Sequence, residues 1–578
     1  MYLLQTLQEF GRFLRDSEWL VNACCTVLRF VFPVLALWIL VRCISSLLRF
    51  RKEPEIWGWL TLPDGTLLPV THWENLIGRA NSCDIVVDYP TLSKSHAVLT
   101  RYDDGSWSIS DIGGRGGVAV NGKSESFCAI NFGDVISLGG VEMSLEPVTQ
   151  EDREGGYLER TKAGRRVRPA PTLLLLTLFQ LLTAFELGLN IDLQGVGTVL
   201  LDFAALIALE WLLFFGLKAL RRSGYEIETM AFFLITIGFA TISSGNPGLL
   251  TKQLICVVIG IVIYLILGWL LRDLERAKKF RYVAAVGGIG LLLATIVFGT
   301  EIYGAKNWIF IGGFSIQPSE LAKLCFIFVG ASTMDRIVTK RNLISFIVYS
   351  GAICLLLALM SDFGTALVFF TAFLVIAFLR SGSFAAVSLI VTATGFAGSL
   401  LLSVKPYIKR RFEAWGHAWD YAQTSGYQQV CAMTCIASGG LFGLGLGNGW
   451  LKYVAASDTD LVFAFVSEEW GLLVALMMVV CIAAIAFFVV RSASVARSSF
   501  YTIGACAAAT ILVVQTILNV FGTVDLLPLT GVTFPFVSNG GSSMLASWGL
   551  LAFIKAADTR QNASFAVRLS REGEEIHE

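Results

Sequence analysis

The chain has 578 residues, of which 55% are hydrophobic and only 15% are charged. Soluble globular proteins carry about 25% charged residues, so this composition excludes a mainly soluble protein and predicts that most of the chain lies in a membrane. The formal net charge is zero, which gives no reason to expect nucleic acid as a partner. Most of the 12 cysteines lie in apolar runs without Cys-x-x-Cys spacing, which indicates small core residues rather than a zinc site.

The first apolar stretch runs from about Val21 to Ser45, and a basic cluster from Arg49 to Lys52 follows it. No cleavage pattern of a signal peptide precedes it. We therefore predict that residues 1–53 form a retained N-terminal membrane anchor.

Between residues 54 and 147 the apolar runs become short and alternating, and turn signals such as Pro63-Asp64-Gly65 separate them. Alternation with a period of two is typical of half-buried strands. The pattern predicts a soluble all-β domain between membrane spans. A basic linker over residues 148–169 follows it.

Three stretches of this β domain form a motif pattern. They are Gly78-Arg79 with Asn81-Ser82-Cys83-Asp84, then Leu92-Ser93-Lys94-Ser95-His96-Ala97, and then Asp111 to Val120-Asn121-Gly122. The segment resembles a forkhead-associated (FHA) domain, a family in which an eleven-stranded β-sandwich binds phosphothreonine through its loops.

The resemblance implies that Arg79, Ser93 and Lys94 hold the phosphate and that His96 braces the loop. A guanidinium and a hydroxyl can both donate to a phosphate dianion. The family's asparagine in the next loop is Gly116 here, and the preceding residue, Arg115, could supply a substitute cation. A degenerate FHA fold used as a protein docking surface is the alternative.

Apolar runs of about 18 or more residues recur from residue 170 onward, each long enough to cross a hydrocarbon core of roughly 30 Å. Loops rich in lysine and arginine alternate with loops poor in them, which the positive-inside rule assigns to opposite sides. The alternation predicts an N-terminus outside, a cytoplasmic β domain and a cytoplasmic tail over residues 558–578. It also predicts that the longest polar connection, residues 405–460, is extracytoplasmic. We call this connection the long loop.

The long loop opens with four cations on the side where the positive-inside rule disfavours them, Lys405, Lys409, Arg410 and Arg411. Cations at this depth predict a fixed anionic ligand, such as a lipid phosphate. Snorkelling of these side chains to lipid headgroups is the alternative.

Four further stretches follow one another along the membrane part of the chain. They are Gly304-Ala305-Lys306-Asn307-Trp308 with Gln317-Pro318-Ser319-Glu320-Leu321-Ala322-Lys323; Ser361-Asp362-Phe363-Gly364-Thr365; Ser425-Gly426-Tyr427-Gln428 with Thr459-Asp460 and Glu468-Glu469-Trp470-Gly471; and Leu527-Pro528-Leu529-Thr530-Gly531 with Pro535-Phe536-Val537-Ser538-Asn539-Gly540-Gly541. Together they resemble the SEDS family (shape, elongation, division and sporulation), which contains the RodA/FtsW-like cell-wall polymerases.

The resemblance implies a polytopic α-helical membrane protein, with a ten-span SEDS domain over residues 223–557 and an inserted all-β FHA sandwich. About three spans are additional, namely the anchor and a pair over residues 170–222. The implied activity is that of an inverting glycosyltransferase, a peptidoglycan polymerase that joins lipid II disaccharide units. It would work on the outer face of a bacterial plasma membrane with a class B penicillin-binding transpeptidase.

Glycosyl transfer from a polyprenyl diphosphate needs a base for the acceptor hydroxyl and cations for the departing diphosphate. The family's essential aspartate shortly precedes its Gly-Tyr-Gln triplet, and Asp420 precedes Gly426 by six residues here. We predict Asp420 as the catalytic base, Glu413 as the fallback and the four cations of the long loop as the diphosphate site. A divalent cation, Mg²⁺ or Mn²⁺, is left open. Lys306 and Gln428 are predicted as further substrate contacts.

Glu320 and Lys323 lie three residues apart at the start of an apolar run, so a helix would bring them to one face, where they can neutralise each other. Two predictions are equal here: the pair braces a cavity, or it binds substrate through Lys323 on the diphosphate. Asp362 is predicted to order a loop. Glu468 and Glu469 are predicted to meet the N-terminus of the next helix.

The Gly-rich run from Ser438 to Gly447 lacks the Lys-Ser/Thr pair of a nucleotide-binding P-loop, so it predicts close backbone packing. Two segments differ from the family pattern: Ser538-Asn539-Gly540-Gly541 replaces Ser-Tyr-Gly-Gly, and Ala456-Ser457-Asp458-Thr459-Asp460 replaces Pro-Glu-x-x-Thr-Asp. Two other functions stay open from the residues alone. One is a lipid II flippase or transporter with a polar path, and the other is a non-catalytic FHA membrane scaffold of the cell-wall machinery.

Overall fold

This computed structural model describes residues 17–48, 56–80, 83–102, 105–149, 169–191, 193–220, 224–302, 305–334, 340–381, 413–493 and 498–558, with isolated positions between 388 and 395. Most of the predicted basic linker and the predicted tail lie outside these residues. The described part contains a β domain near the N-terminus and a large bundle of helices.

The helices are numbered in chain order within the described residues. They are α1 (Glu18–Leu48), α2 (Pro169–Asn190), α3 (Leu193–Ala219), α4 (Glu226–Gly245), α5 (Leu250–Leu271), α6 (Leu274–Phe298), α7 (Pro318–Met334), α8 (Lys340–Leu359), α9 (Phe363–Ser381), α10 (Tyr427–Gly439), α11 (Val462–Glu469), α12 (Leu472–Ala493), α13 (Ser499–Thr523) and α14 (Gly541–Ala556). Eight candidate membrane spans and two shorter apolar helices are found among the described residues. The protein is therefore a multi-pass membrane protein, as predicted.

Helix α4 lies at the centre of the bundle. Every residue from Ile227 to Ser244 is buried, and a helix that is apolar on all sides needs neighbours on all sides. Its neighbours include α2, α5 and α12. Gly238 permits the closest approach, because a Cβ atom there would lie 2.3 Å from the carbonyl oxygen of Val537.

The three helices that precede α4, namely α1, α2 and α3, pack against the outside of this core. Helix α1 lies against α2, α4 and α12, and α3 lies against α2 and α5. We call α1, α2 and α3 the accessory helices. Helix α1 has 31 residues and is roughly 46 Å long at 1.5 Å per residue, which is enough to cross a bilayer with a turn or more to spare.

The β domain contains eleven strands in two sheets. The first sheet has the order β2-β1-β11-β10-β7-β8 and the second β4-β3-β5-β6-β9, and only the pair β3 and β4 is parallel. The strands are β1 (Gly58–Thr61), β2 (Leu67–Val70), β3 (Glu74–Gly78), β4 (Ile85–Val86), β5 (Ala97–Arg101), β6 (Trp107–Asp111), β7 (Val118–Val120), β8 (Lys123–Ser124), β9 (Phe127–Ile130), β10 (Val135–Leu138) and β11 (Val141–Glu146). The predicted sandwich is confirmed, and the turn Pro63-Asp64-Gly65 joins β1 to β2 with Gly65 at a φ of +81°.

The β domain and the long loop belong to opposite ends of α1. The C-terminal end of α1 leads into the β domain, and α2 begins after it. In its N-terminal half, α1 contacts the long loop through the side chain of Arg29, which donates to the carbonyl oxygen of Leu444. A small sheet of β12 (Thr300–Ile302), β13 (Ala305–Ile311) and β14 (Phe314–Ile316) joins α6 to α7.

Candidate functional site in the long loop and the loops of the β domain

Asp420 lies in an exposed turn of the long loop that is tied to the end of α13. The carboxylate of Asp525 accepts hydrogen bonds from the backbone N–H groups of Gly416 at 3.2 Å and Ala418 at 3.1 Å. The indole of Trp415 donates to the carbonyl oxygen of Leu526 at 3.0 Å. These bonds hold the backbone that carries Asp420.

Sequence reasoning missed Asp525. Its φ is +60°, in the left-handed region that aspartate tolerates better than most residues. An aspartate between the end of an apolar run and a Leu-Pro turn was the available signal. Its partners lie more than 100 residues away in sequence, so no local pattern reveals them.

The carboxylate of Asp420 itself is exposed and has no hydrogen bond or ion pair with any residue that the structure describes. A base must keep a free lone pair for the incoming proton, so this environment is compatible with the predicted role. The predicted diphosphate cluster of Lys405, Lys409, Arg410 and Arg411 lies outside the described residues.

Gln428 and Lys306, the other predicted substrate contacts, both hold backbone. Gln428 Nε2 donates to the carbonyl oxygen of Ala455 at 2.9 Å, which joins the start of α10 to the end of the long loop. Lys306 Nζ donates to the carbonyl oxygen of Ile296 at 2.6 Å, in the last turn of α6, where a cation also interacts favourably with the helix dipole. Their substrate roles stay predictions.

Glu320 and Lys323 form the predicted pair. Lys323 Nζ lies 2.7 Å from Glu320 Oε1 in the first turns of α7, and both side chains are almost fully buried. Gln317 Nε2 donates to Asp362 Oδ2 at 3.3 Å, and Asp362 Oδ1 accepts the backbone N–H of Thr365 at 3.1 Å. Asp362 therefore orders the turn into α9, as predicted.

The prediction that Glu468 and Glu469 meet the N-terminus of the next membrane helix is wrong. Helix α11 ends at Glu469, and both carboxylates turn toward the Gly-rich part of the long loop. Glu468 accepts the backbone N–H groups of Trp450 and Leu451, each at 2.9 Å. Glu469 Oε1 accepts from Gly449 N at 3.3 Å and from the hydroxyl of Ser244 at 2.5 Å. Helix α11 ends within an apolar run, so the sequence did not indicate which groups these carboxylates would contact.

The predicted close packing of the Gly-rich run is confirmed. A Cβ atom at Gly443 would lie 2.2 Å from the carbonyl oxygen of Glu469, and one at Gly439 would lie 2.2 Å from that of Ser467. Gly443 also has a φ of +80°. The glycines let this part of the loop wrap around the end of α11.

The two segments that differ from the SEDS pattern contact each other. Asn539 Nδ2 donates to Asp458 Oδ2 at 2.7 Å, and Asn539 N donates to the carbonyl oxygen of Asp458 at 2.8 Å. The hydroxyl of Ser538 donates to the carbonyl oxygen of Thr459 at 2.6 Å. The two segments are therefore bonded to each other and keep the long loop joined to the start of α14.

The β domain brings its four predicted phosphate contacts onto adjacent loops. Arg79 N donates to the carbonyl oxygen of Ser93 at 3.1 Å, and the hydroxyl of Ser93 accepts the backbone N–H of Arg115 at 2.8 Å. The side chains of Arg79, Lys94 and Arg115 are exposed, and none pairs with an acidic residue in the described ranges. The loops therefore present three uncompensated cations and one hydroxyl.

The buried side chain of His96 joins two of these loops. Its Nδ1 accepts the backbone N–H of Ser93 at 3.2 Å, and its Nε2 lies 3.0 Å from the carbonyl oxygen of Gly117. These partners require a neutral ring with the proton on Nε2. Gly116 has a φ of +88°, and a Cβ atom there would lie 2.9 Å from the Cα of Gly139. Asparagine at this position would meet both strain and a clash in this backbone.

The described residues contain no group of three or more His, Cys, Asp or Glu side chains that could hold a metal ion. Magnesium is often held by one or two carboxylates together with substrate phosphates, so Asp420 and a diphosphate would suit such an ion. The divalent cation therefore stays a prediction.

Comparisons with known proteins agree with the two resemblances. The family model described as cell cycle protein FtsW/RodA/SpoVE matches residues 229–563, and the FHA domain model matches residues 75–139. The chain is 32% identical over 377 residues to the "Probable peptidoglycan glycosyltransferase FtsW" of Tolumonas auensis, with 61% of this chain and 97% of that protein covered.

A second relative is the peptidoglycan glycosyltransferase RodA of Mycobacterium tuberculosis. It is 30% identical over 333 residues, with 52% of this chain and 69% of that protein covered. Among solved structures, the chain is similar to one described as coordinating polymerization and crosslinking in a peptidoglycan synthase complex, with a TM-score of 0.50 and 24% identity. That similarity covers 58% of this chain and 98% of the other, and it indicates a common fold.

Proposed function

Because this chain belongs to the FtsW/RodA/SpoVE family of cell cycle proteins, whose model spans residues 229–563, we propose that it is a peptidoglycan polymerase. It joins lipid II units as an inverting glycosyltransferase on the extracytoplasmic membrane face. The observation that carries this proposal is the exposed carboxylate of Asp420, which has no partner in the described ranges, on a backbone held by Asp525.

The proposed reaction is a single displacement. The acceptor hydroxyl oxygen attacks the anomeric carbon of the donor sugar, and the bond from that carbon to the diphosphate breaks. Asp420 takes the proton of the hydroxyl, and the diphosphate leaves with the bonding electrons on its oxygen. Lys405, Lys409, Arg410 and Arg411 are the proposed cations that stabilise the departing charge. A divalent cation would add positive charge at the same place.

The test is polymerisation of labelled lipid II by the purified full chain. Wild type should form glycan, and Asp420→Asn should lower the rate by about 10² to 10⁴, the usual contribution of a general base. Glu413→Gln is the matched control, because it changes another exposed acidic side chain in the same turn region. If only Glu413→Gln lost glycan formation, Glu413 would be the base. An unchanged rate of glycan formation in Asp420→Asn would contradict the assignment of Asp420.

The same assay separates the polymerase from a transporter. A flippase would move lipid II between leaflets and form no glycan in detergent. The burial of Glu320 and Lys323 against each other gives no open polar path at that pair. Glycan formation by the purified chain would therefore favour the polymerase, and its absence with intact transport would favour the flippase.

The FHA domain is proposed to lie in the cytoplasm and to bind a phosphothreonine protein. The support is that Arg79, Lys94 and Arg115 are exposed cations on the adjacent loops that also carry the hydroxyl of Ser93, since several donors on one phosphate bind it more strongly than one does. A cytoplasmic kinase substrate would then regulate the polymerase. We also propose a class B penicillin-binding transpeptidase as the partner that crosslinks the product.

A further inference from the structure

The accessory helices lie outside the family region, yet they contact the long loop directly. Arg29 of α1 donates to the carbonyl oxygen of Leu444. From α2, Asn190 Nδ2 donates to the carbonyl oxygen of Leu446 at 2.6 Å, and Glu186 Oε1 accepts the backbone N–H of Leu446 at 3.1 Å. Two of the accessory helices, α1 and α2, therefore bind the backbone of two residues of the loop, Leu444 and Leu446.

Two of these contacts place a charged side chain in a membrane span, which costs free energy. Arg29 and Glu186 lie within apolar spans, and Glu186 is only 1% exposed. Charged side chains at such depth are expensive and persist when they have partners or a function. The partners here are backbone groups of the long loop.

Gly445, which lies between the two bound leucines, has little space around it. Gly445 has a φ of +93°, and a Cβ atom there would lie 3.1 Å from Glu186 Oε1. On the opposite side, Leu444 N and Gly445 N donate to the carbonyl oxygens of Glu468 and Glu469 at 2.9 and 3.0 Å. The loop is thus held between the accessory helices and the end of α11.

Aromatic side chains pack around the same contact. Phe32 of α1 lies 4.7 Å from Trp470, and Phe179 of α2 stacks on Trp470 at 5.3 Å between ring centroids. Phe30 lies 4.8 Å from Phe442 of the loop. The hydrogen bond between Glu186 and the backbone N–H of Leu446 is buried beside these rings, which strengthens it.

We propose that Arg29, Glu186 and Asn190 are positioning residues for the polymerase. They fix the Gly-rich part of the long loop, and Asp420 lies in an earlier part of the same loop. The inference rests on the proposed function. Asp420 and the Gly-rich part of the loop are joined by α10, which ends at Gly439 and whose first turn is tied to the end of the loop by Gln428. The β domain is inserted between α1 and α2, so the helices that hold the loop are the ones that carry that domain.

The test compares two buried carboxylates of the accessory helices in the full chain. Glu186→Leu removes the acceptor for Leu446 N–H, Glu186→Gln keeps an acceptor, and Glu210→Leu is the matched control. Glu210 is fully buried in α3 and accepts from Gln180 at 2.9 Å, without contacting the long loop through any bond in the described ranges. Asn190→Leu is a milder variant that removes the other bond to Leu446.

The first readout is hydrogen exchange of residues 440–451 in detergent without substrate, and the second is the kinetics of glycan formation. Glu186→Leu should speed exchange there by about tenfold and lower kcat by about ten- to a hundredfold. Glu186→Gln should retain most of the slow exchange and most of the kcat of the wild type. Asn190→Leu should act in the same direction as Glu186→Leu, which keeps the test decisive if the latter does not fold.

Unchanged exchange of residues 440–451 in both Glu186→Leu and Asn190→Leu would overturn the inference. The same increase in Glu210→Leu would also overturn it, because the effect would then be general loosening of the accessory helices. A wild type that forms no glycan would refute the proposed polymerase. Because exchange is measured without substrate, it would still show whether Glu186 and Asn190 hold the loop.

Discussion

Two acidic residues near opposite ends of the long loop have opposite environments. Asp420 is exposed and its carboxylate has no partner in the described part of the chain, whereas Glu468 is buried and accepts two backbone N–H groups. Buried charges need such partners because their desolvation is otherwise too costly. Glu468 therefore holds the fold together, and Asp420 is free to meet a ligand.

The same contrast separates the cations of the molecule. Lys323 is paired with Glu320 and almost fully buried, whereas Arg79, Lys94 and Arg115 are exposed without acidic partners among the described residues. A charged side chain that is paired within the protein is not available to bind a ligand. The comparison predicts that changes at the paired residues affect stability and that changes at the unpaired ones affect binding or catalysis.

The largest expected effect on stability is at the buried ion pair. Lys323→Met should lower the free energy of unfolding by about 3 to 5 kcal/mol, because it leaves the carboxylate of Glu320 buried and unpaired. The double variant Glu320→Leu/Lys323→Met should recover at least half of that loss. Thermal unfolding of the three proteins in one detergent measures both quantities.

The double variant also separates the two predicted roles of Lys323. If the pair is a brace, as its geometry favours, glycan formation should recover together with stability. Recovered stability with a rate that stays low would contradict the brace and place Lys323 on the donor diphosphate. Glu320→Gln is the control for the loss of one charge without the loss of side-chain volume.

A smaller effect is expected at Glu468. Glu468→Gln should lower the free energy of unfolding by about 2 to 3 kcal/mol, because the amide offers one acceptor to two backbone donors that now face a charged carboxylate. Asp420→Asn should change it by no more than about 0.5 kcal/mol, as for most exposed positions. Equal destabilisation by the two substitutions, measured by thermal unfolding, would remove the contrast between them.

The sequence was sufficient for the features that depend on local pattern. Turn signals and alternation predict the β-sandwich, apolar runs predict the membrane helices, and a spacing of three residues predicts the pair of Glu320 and Lys323. These features follow from the periods of strands and helices. The glycines of the long loop likewise indicate close packing without revealing what they pack against.

The features that depend on tertiary contacts were beyond the sequence. Asn190 meets Leu446 across 256 residues, and Asn539 meets Asp458 across 81. Lys306 and Gln428 were predicted from motifs alone, and their partners proved to be carbonyl oxygens of other elements. A motif identifies a residue type and its neighbours in sequence, but the atoms that a side chain meets are set by packing.

The smallest expected effect concerns the unpaired cations of the FHA domain. This domain has a hydrophobic core of its own, so residues 54–147 can be produced alone and titrated with phosphothreonine peptides. Binding should exceed that of the unphosphorylated peptides, and Arg79→Ala should weaken it by about 1.5 to 3 kcal/mol, the value of a hydrogen bond to a charged group. That corresponds to roughly 10- to 150-fold in Kd.

The matched control is Lys123→Ala, which removes an exposed cation from the edge strand β8. It should leave the affinity within about twofold, because exposed charges away from a ligand are screened by salt. Ser93→Ala should weaken binding as Arg79→Ala does, and it also removes the acceptor for Arg115 N. If the domain binds phosphorylated and unphosphorylated peptides equally, the three cations are not a phosphate site, and the domain is a docking surface whose partner is recognised by other residues.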